Sequence, residues 1–407
     1  MKFKMLFQTH KIEKITTIAF LIAIFVMTYG LLFSGHNITG DFLMDYRNTV
    51  KPGTPIIDRV TGAIGSLERT INNDTYKKDD LVELYGLTQK TLDKNVISDP
   101  AYGQIYKTSF NQITYAVKKQ DVNPELRSMK KLKKGLDEIG IPLLYIQAPF
   151  KLPENEQQLP ANVRDYANDN ADRFLAGLDK EGINTLDLRK IFASNGMTQN
   201  EIFFNTDHHW TIDSAFYAMK SITGTLNANY SFHINEKYAD ISNFNRKVYK
   251  DYYIGSMGRR VGKTYGGVDD FTLITPNFDT DYTVYERDYG GEKIYEGSFQ
   301  KAVLTNDYLK PGTPLDTNRY AVYHGDNAEL EFVNHNIKGG KVLMVKDSFG
   351  LPIYCFLSLG VHEVRALDVR LYTGSVLEYA KANKPDVVVI LYNADCFGGN
   401  MFDFDEK

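Results

Sequence analysis

The chain has 407 residues, 43% hydrophobic and 24% charged, the composition of a folded protein with room for one large α/β domain or two smaller ones and without long disorder. Its 47 basic and 51 acidic residues leave a formal charge of only −4, so no strong positive field recruits nucleic acid, which is not expected as a partner. Two cysteines, Cys355 and Cys396, exclude a disulfide scaffold and a thiolate metal cluster; an oxidising location permits one bridge between them, and two unpaired buried thiols are the alternative.

Ile15 to Phe33 is a run of 19 residues without a charge, about 28 Å of helix at 1.5 Å per residue, which spans a bilayer. Lys2, Lys4, Lys11 and Lys14 precede it and no basic cluster follows, so the positive-inside rule keeps residues 1–14 in the cytoplasm and sends the rest outward. A cleaved signal peptide is the rival, but the run exceeds a usual apolar region and the small-residue cleavage pattern after it is poor. The expectation is an uncleaved transmembrane anchor at 15–34, a stalk at 35–75 rich in Gly, Asn, Asp and Pro without clear periodicity, and a folded domain at 76–407.

Residues 76–140 are expected to be mostly helical, with Pro124 to Ile139 amphipathic through Leu126, Met129, Leu132 and Leu136. From Ile141 the pattern alternates: a strand at Pro142 to Gln147, a helix at about 162–180 and a strand at Ile183 to Leu188. It returns near the C-terminus, where strand-like runs at Lys341 to Val345, Val361 to Leu367 and Asp386 to Tyr392 are separated by helical segments at about 350–359 and 373–383. Strand, helix, strand at this spacing predicts a parallel sheet covered by crossover helices, assembled from two distant pieces. Residues 227–340, rich in Tyr, Gly, Asp and Thr, are expected to be a β-rich, antiparallel insertion. Chemistry in such folds lies beyond the carboxyl ends of the strands.

Two features fall at such ends. Lys346-Asp347-Ser348-Phe349-Gly350 follows an apolar strand and precedes a helix, a place that exposes a serine hydroxyl beside helix-start N–H groups. A simple helix cap is the alternative there. Asn205-Thr206-Asp207-His208-His209-Trp210 is a loop before a helix starting near Ile212. A serine becomes a nucleophile when an imidazole takes its proton, and the imidazole needs a carboxylate to set its tautomer. Asp207 and His209, two residues apart, can supply both, with His208 pointing elsewhere as a structural or site-lining residue. A metal site is the competing reading of this run, but the other histidines complete no HxxxH or HxH pattern. Neither metal nor cofactor is expected. Gly258 to Thr264 looks like a phosphate-binding loop but has Met257 where the first glycine is required.

The Asp207-His208-His209-Trp210 run resembles the DHHW family, related to the alginate O-acetyltransferases and, more distantly, to SGNH hydrolases. The resemblance covers roughly 76–400 and includes Pro149 and Lys151 after the first strand, and Asp347-Ser348-Phe349 against the relatives' Gly-Asp-Ser-Phe turn, with Lys346 standing in place of the Gly. It implies an SGNH-hydrolase-like α/β fold and a catalytic triad of Ser348, His209 and Asp207. It also implies an oxyanion-hole Asn, for which Asn393 is the positional candidate, with Tyr392 a second; Arg370, Lys151 and His208 are substrate-binding candidates. The activity implied is transfer of an acetyl group through acyl-Ser348 to hydroxyls of a polysaccharide, with a membrane-bound O-acyltransferase as donor partner. A carbohydrate acetylesterase and a non-catalytic, membrane-tethered polysaccharide-binding scaffold are the alternatives.

Overall fold

The computed structural model describes residues 2–33, 38–50, 54–100, 102–153, 159–288 and 290–406. Residues 1–85 and 86–407 form separate compact units. The first is helical, with Lys2–Phe33, Ile38–Thr49 and Ile56–Asp74, and a fourth helix, Lys78–Thr91, runs past its end. Lys11–Gly30 within the first helix is long and apolar enough to cross a membrane. The expected stalk is corrected here, because most of its described residues are helical. Ile57, Val60, Ile64, Leu67 and Ile71 recur at three- and four-residue spacing, a helical period that the neighbouring glycines and asparagines obscured. Residues 34–37 and 51–53 of the expected anchor end and stalk lie outside the described residues.

A second correction falls in 76–140. Val96–Asp99, Gly103–Lys107 and Ile113–Thr114 form a three-stranded antiparallel sheet instead of helix. Its β-branched residues alternate faces, and Ile97, Ile105 and Ile113 are buried.

The main sheet has eight strands, numbered here in chain order: β1 Leu143–Gln147, β2 Asn184–Asp187, β3 Tyr282–Asp288, β4 Gly291–Gly297, β5 Glu329–Asn334, β6 Lys341–Lys346, β7 Glu363–Leu367 and β8 Val387–Tyr392. Their order is β2-β1-β8-β6-β7-β5-β3-β4. The first five are mutually parallel, as the alternating sequence predicts, and the last three continue the sheet antiparallel. The 227–340 insertion is therefore not a separate module: β3, β4 and β5 extend the sheet, while Phe244–Tyr253 and Asp269–Pro276 make a separate two-stranded ribbon.

Strands β1 and β8 are buried along their whole length because both faces are covered, which is why they read as unbroken apolar runs. Leu144, Ile146, Met344, Val389 and Leu391 face the layer holding helices Ile212–Asn229 and Gly350–Leu357. Their alternating neighbours Leu143, Tyr145, Val345, Val388 and Ile390 face helices Asn123–Glu138, Ala167–Lys180 and Val376–Asn383. Each such Val, Leu or Ile removed from water contributes about 1.5–3 kcal/mol, so both layers are stabilised by the same strands. The outer strand β4 is charged and largely exposed, with Glu292, Lys293 and Glu296 discouraging further pairing. Parallel pairing brings the carboxyl ends of β1, β6, β7 and β8 to one edge.

Candidate active site

The loop after Phe204 is closed at its base by pairing of Phe203 with Trp210 and by the bond from Thr211 N–H to Ile202 C=O, 2.7 Å. Thr211 also caps the helix Ile212–Asn229 through Ser214 N–H. Much of the loop is held from outside it. The Asp269 carboxylate accepts from Asn205 N–H and Thr206 N–H, both at 2.7 Å, and from the Thr206 hydroxyl. Thr206 Oγ1 in turn accepts from Gly255 N–H at 2.7 Å. Gly255 must be glycine, since a Cβ there would lie 2.3 Å from Asp207 Cβ.

Lys151 completes the clamp. Its Nζ donates to the carbonyl oxygens of Ile113, Asn205 and Asp207 at 2.8, 2.8 and 2.7 Å. Burial pulls the ammonium down to about 7, opposed by Asp269 and Asp207. Three acceptors around one nitrogen match the three N–H groups of the charged form. The expectation of Lys151 as a substrate ligand is corrected: the side chain is fully committed to holding the loop.

The Asp207 carboxylate is thereby aimed. Oδ1 accepts from His209 Nδ1 at 2.8 Å and from His209 N–H at 3.1 Å, while Oδ2 accepts from Ser256 N–H at 3.0 Å and from the Tyr253 hydroxyl. Burial raises this carboxyl, but the charges and hydrogen bonds of His209 and His208 outweigh it and hold Asp207 well below the usual carboxylate range. His209 Nε2 lies 2.6 Å from Ser348 Oγ. Burial, helped by His208, pulls His209 below the ordinary histidine value against the opposite influence of Asp207 and Asp326. The imidazole is thus neutral at neutral pH, with its proton on Nδ1 toward Asp207 and its lone pair toward the serine.

His208 does not point elsewhere, as its sequence position suggested. Its Nδ1 is 3.1 Å from Asp207 Oδ1 and 3.0 Å from Ser256 Oγ, and its ring centre is 3.9 Å from that of His209. Asp207, His208 and His209 hold potential ligand atoms within 4.8 Å of one another. That geometry is better described as two imidazole donors sharing one carboxylate oxygen, with the remaining acceptor positions filled by N–H and O–H groups, than as lone pairs converging on a metal.

On the other side, Ser348 sits in the turn between β6 and the helix Gly350–Leu357 and is half-buried. The helix-cap alternative is answered by the contacts: no side chain caps this helix, and Ser348 Oγ goes to His209. Asp347 shapes the turn instead, accepting from Phe349 N–H at 2.9 Å and from Asn393 N–H at 2.6 Å, so that the ends of β6 and β8 are tied together. Burial pushes Asp347 up to about 6 against those N–H groups and the charges of Arg370 and Lys346. Gly350 is needed because a Cβ would meet Lys346 Cβ at 2.7 Å. Lys346 itself turns into the protein, with Nζ 2.6 Å from Asp326 and 3.1 Å from Asp368, away from the serine.

The remaining expectations divide. Asn393 Oδ1 accepts from Asp395 N–H at 2.5 Å, and neither its Nδ2 nor Ser348 N–H has a partner among the described residues. Arg370 is held at the turn by Asp368 and Asp326, at 2.5 and 3.2 Å. Tyr392 is corrected: it is fully buried and its hydroxyl donates to Met401 C=O at 2.6 Å, away from the serine. Gly258 to Gly266 folds as two short helical turns, with Gly258 N–H bonded to Thr206 C=O at 2.9 Å, and is packing for the loop. Cys355 and Cys396 are both unpaired and buried. The sequence did not single out Tyr253, Ser256, Asp269, Tyr320 or Asp326; all come from the 227–340 segment, whose tyrosine richness was the one available signal.

Comparison with known proteins bears on this arrangement. A family profile described as the SGNH hydrolase-like domain of the acetyltransferase AlgX matches residues 108–245, which include the Asp207 loop and stop short of Ser348. No curated protein matches. Bacillus cereus PatB1, solved with a sulfonyl adduct, is similar in structure with a TM-score of 0.63 at 21% identity, covering 76% of this chain and 100% of its own. A DHHW family protein from Eubacterium siraeum gives 0.58 at 16% identity, covering 77% and 98%. The chain is thus similar over residues 108–245 to the SGNH hydrolase-like domain of the acetyltransferase AlgX, and over about three quarters of its length it shares the fold of PatB1 and of a DHHW family protein.

Proposed function

We propose that the protein is a membrane-anchored O-acetyltransferase that passes an acetyl group through Ser348 to hydroxyls of a cell-surface or secreted polysaccharide. The observation that carries this reading is the unbroken chain from Asp207 through His209 to Ser348 Oγ, 2.8 and 2.6 Å long at its two links, on a domain similar to an acetyltransferase family. In the first half-reaction Ser348 Oγ attacks the donor's acyl carbon and His209 Nε2 takes the serine proton, which it then gives to the leaving group. Negative charge on the acyl oxygen is received by Ser348 N–H and Asn393 Nδ2. In the second, an acceptor hydroxyl gives its proton to His209, attacks the acyl-serine, and Ser348 recovers a proton as it leaves.

The apolar stretch Lys11–Gly30 supports a membrane anchor with the domain outside the cell, where a membrane-bound O-acyltransferase supplies acyl groups. Tethering both proteins in one bilayer raises their effective concentration. The test is to incubate the protein with a chromogenic acetyl ester, with and without oligosaccharides, and to follow acyl-Ser348 by mass spectrometry. Acetylated sugar supports transfer, acetate alone makes the protein an acetylesterase, and absence of acyl-Ser348 removes both readings.

A further inference from the structure

Tyr320 lies far from both halves of the site in sequence and touches each. Its ring lies over the His209 imidazole with centres 4.3 Å apart and planes 14° from parallel. Its hydroxyl accepts from Trp210 Nε1 at 2.8 Å and lies 3.5 Å from Phe349 C=O, next to Ser348. Both Tyr320 and Trp210 are fully buried. One side chain thus joins the base, the residue after the base and the nucleophile turn.

The two hydrogen bonds of His209, to Asp207 and to Ser348, fix the imidazole in its own plane but leave it free to tilt out of it. A stacked ring removes that freedom, provided the ring itself cannot move. Complete burial provides that condition, with Trp210 beside the Tyr320 hydroxyl and its own ring packed on Phe192 and Phe349 at 6.3 and 5.4 Å. The π face has a second effect. It attracts a cation more than a neutral ring, and His209 is neutral at rest but becomes imidazolium as it takes the serine proton. An interaction stronger in the charged state accelerates the step rather than tightening the resting complex.

We infer that Tyr320 is a positioning residue for proton transfer at His209, acting through its ring. This rests on the proposed role of Ser348 as nucleophile. Besides Ser348, the other groups facing His209 are Asp207, His208, Asp326 and Phe349; the His208 ring at 3.9 Å is tilted by 37° and the Phe349 ring at 5.3 Å by 49°, so Tyr320 alone among them lies nearly parallel to the imidazole.

The test compares Tyr320→Phe with Tyr320→Leu in the full chain, reading the rate of Ser348 modification by phenylmethanesulfonyl fluoride against pH, together with Tm. Both variants lose the Trp210 hydrogen bond, so both lower Tm; only Leu also loses the π face. The expected result is that Phe labels within threefold of wild type. Leu labels roughly fivefold to thirtyfold more slowly, the range of a desolvated cation–π contact, with its acid limb displaced roughly one pH unit lower. A merely structural role moves the limb upward in Leu, because a loosened site hydrates His209 and relieves its burial. That direction, or equal slowing in Phe and Leu, overturns the inference while leaving the nucleophile in place. Wild-type protein in which Ser348 is never labelled overturns the nucleophile assignment and this inference with it.

Discussion

Asp207→Asn isolates what the carboxylate does, because it changes chemistry at almost constant shape. An amide offers one acceptor and one pair of donors where the carboxylate offers two acceptors. On the Oδ2 side stands Ser256 N–H at 3.0 Å, a donor that cannot change role. Oδ1 also receives one fixed donor, His209 N–H, but it faces two adaptable imidazoles, His209 at 2.8 Å and His208 at 3.1 Å, against the single Tyr253 hydroxyl at Oδ2, so the amide NH2 goes there. His209 must then accept at Nδ1 and carry its proton on Nε2, which puts N–H instead of a lone pair against Ser348 Oγ. The expected loss in kcat for acetyl-ester cleavage is about 10⁴-fold, or roughly 5 kcal/mol in the barrier. His209 N–H, 3.1 Å from Oδ1, now faces another donor, which lowers folding stability by about 1–3 kcal/mol. Initial rates and thermal melts measure the two effects separately. Cleavage within tenfold of wild type refutes the tautomer argument.

Further outcomes follow from other parts of the structure. Because burial lowers the pKa of His209, the acid limb of kcat/KM should lie below pH 6.5, the usual histidine value; a limb above it contradicts the buried-base assignment. Lys151→Met removes the partner of the Ile113 and Asp207 carbonyls, while Asn205 C=O keeps Ile113 N–H; relief of the buried charge offsets part of the loss, leaving about 2–4 kcal/mol, seen as a Tm lower by about 5–10 °C. An unchanged Tm would show that the clamp contributes nothing. Ser348→Ala should abolish sulfonyl labelling and reduce ester cleavage by three or more orders of magnitude, roughly, with Tm nearly unchanged, and retention of either signal points to a different nucleophile. Replacing Ile22 and Ile24 with Lys adds roughly 5–7 kcal/mol against insertion, so the variant should move from the membrane pellet to the supernatant in carbonate extraction; a variant that stays in the pellet argues against this helix as the anchor.

The parallel part of the sheet was legible in the sequence because β1, β6 and β8, covered on both faces, leave unbroken apolar runs such as Val387 to Tyr392. The helix Ile56–Asp74 was not, because isolated glycines inside an apolar period carry the same signal as a loop. Strand Val96–Asp99 was missed for the opposite reason: four residues are too few for periodicity to separate a strand from a helical turn. In the site, Ser348 was legible as a serine after a strand and Asp207 and His209 as an Asp–His pair in a loop before a helix; that loop follows the short helix Gln199–Ile202 instead of a strand, and the structure brings the three into one hydrogen-bonded line. Lys151 and Tyr392 were misjudged because position along a strand does not reveal where a side chain ends. Tyr253, Asp269 and Tyr320 were invisible for a similar reason: each meets the loop only through pairings across 46 to 110 residues, as their bonds to Asp207, Thr206 and Trp210 measure.

Strand β8 is the last to be synthesised, yet it is third in the sheet, between β1 and β6. Until it exists, the sheet is two pieces, β2-β1 on one side and β6-β7-β5-β3-β4 on the other. The first piece leads into Lys151 and the second into Ser348. Joining them pairs Leu143 with Val388, a closure that costs about 5 kcal/mol in chain entropy for a loop of this length and is recovered only when the whole strand seats. The two pieces of the sheet are therefore joined late and in a single step. Without residues 387–392, β1 and the Lys151 that follows it have no strand joining them to β6, and the Lys151 clamp and Ser348 no longer share one sheet.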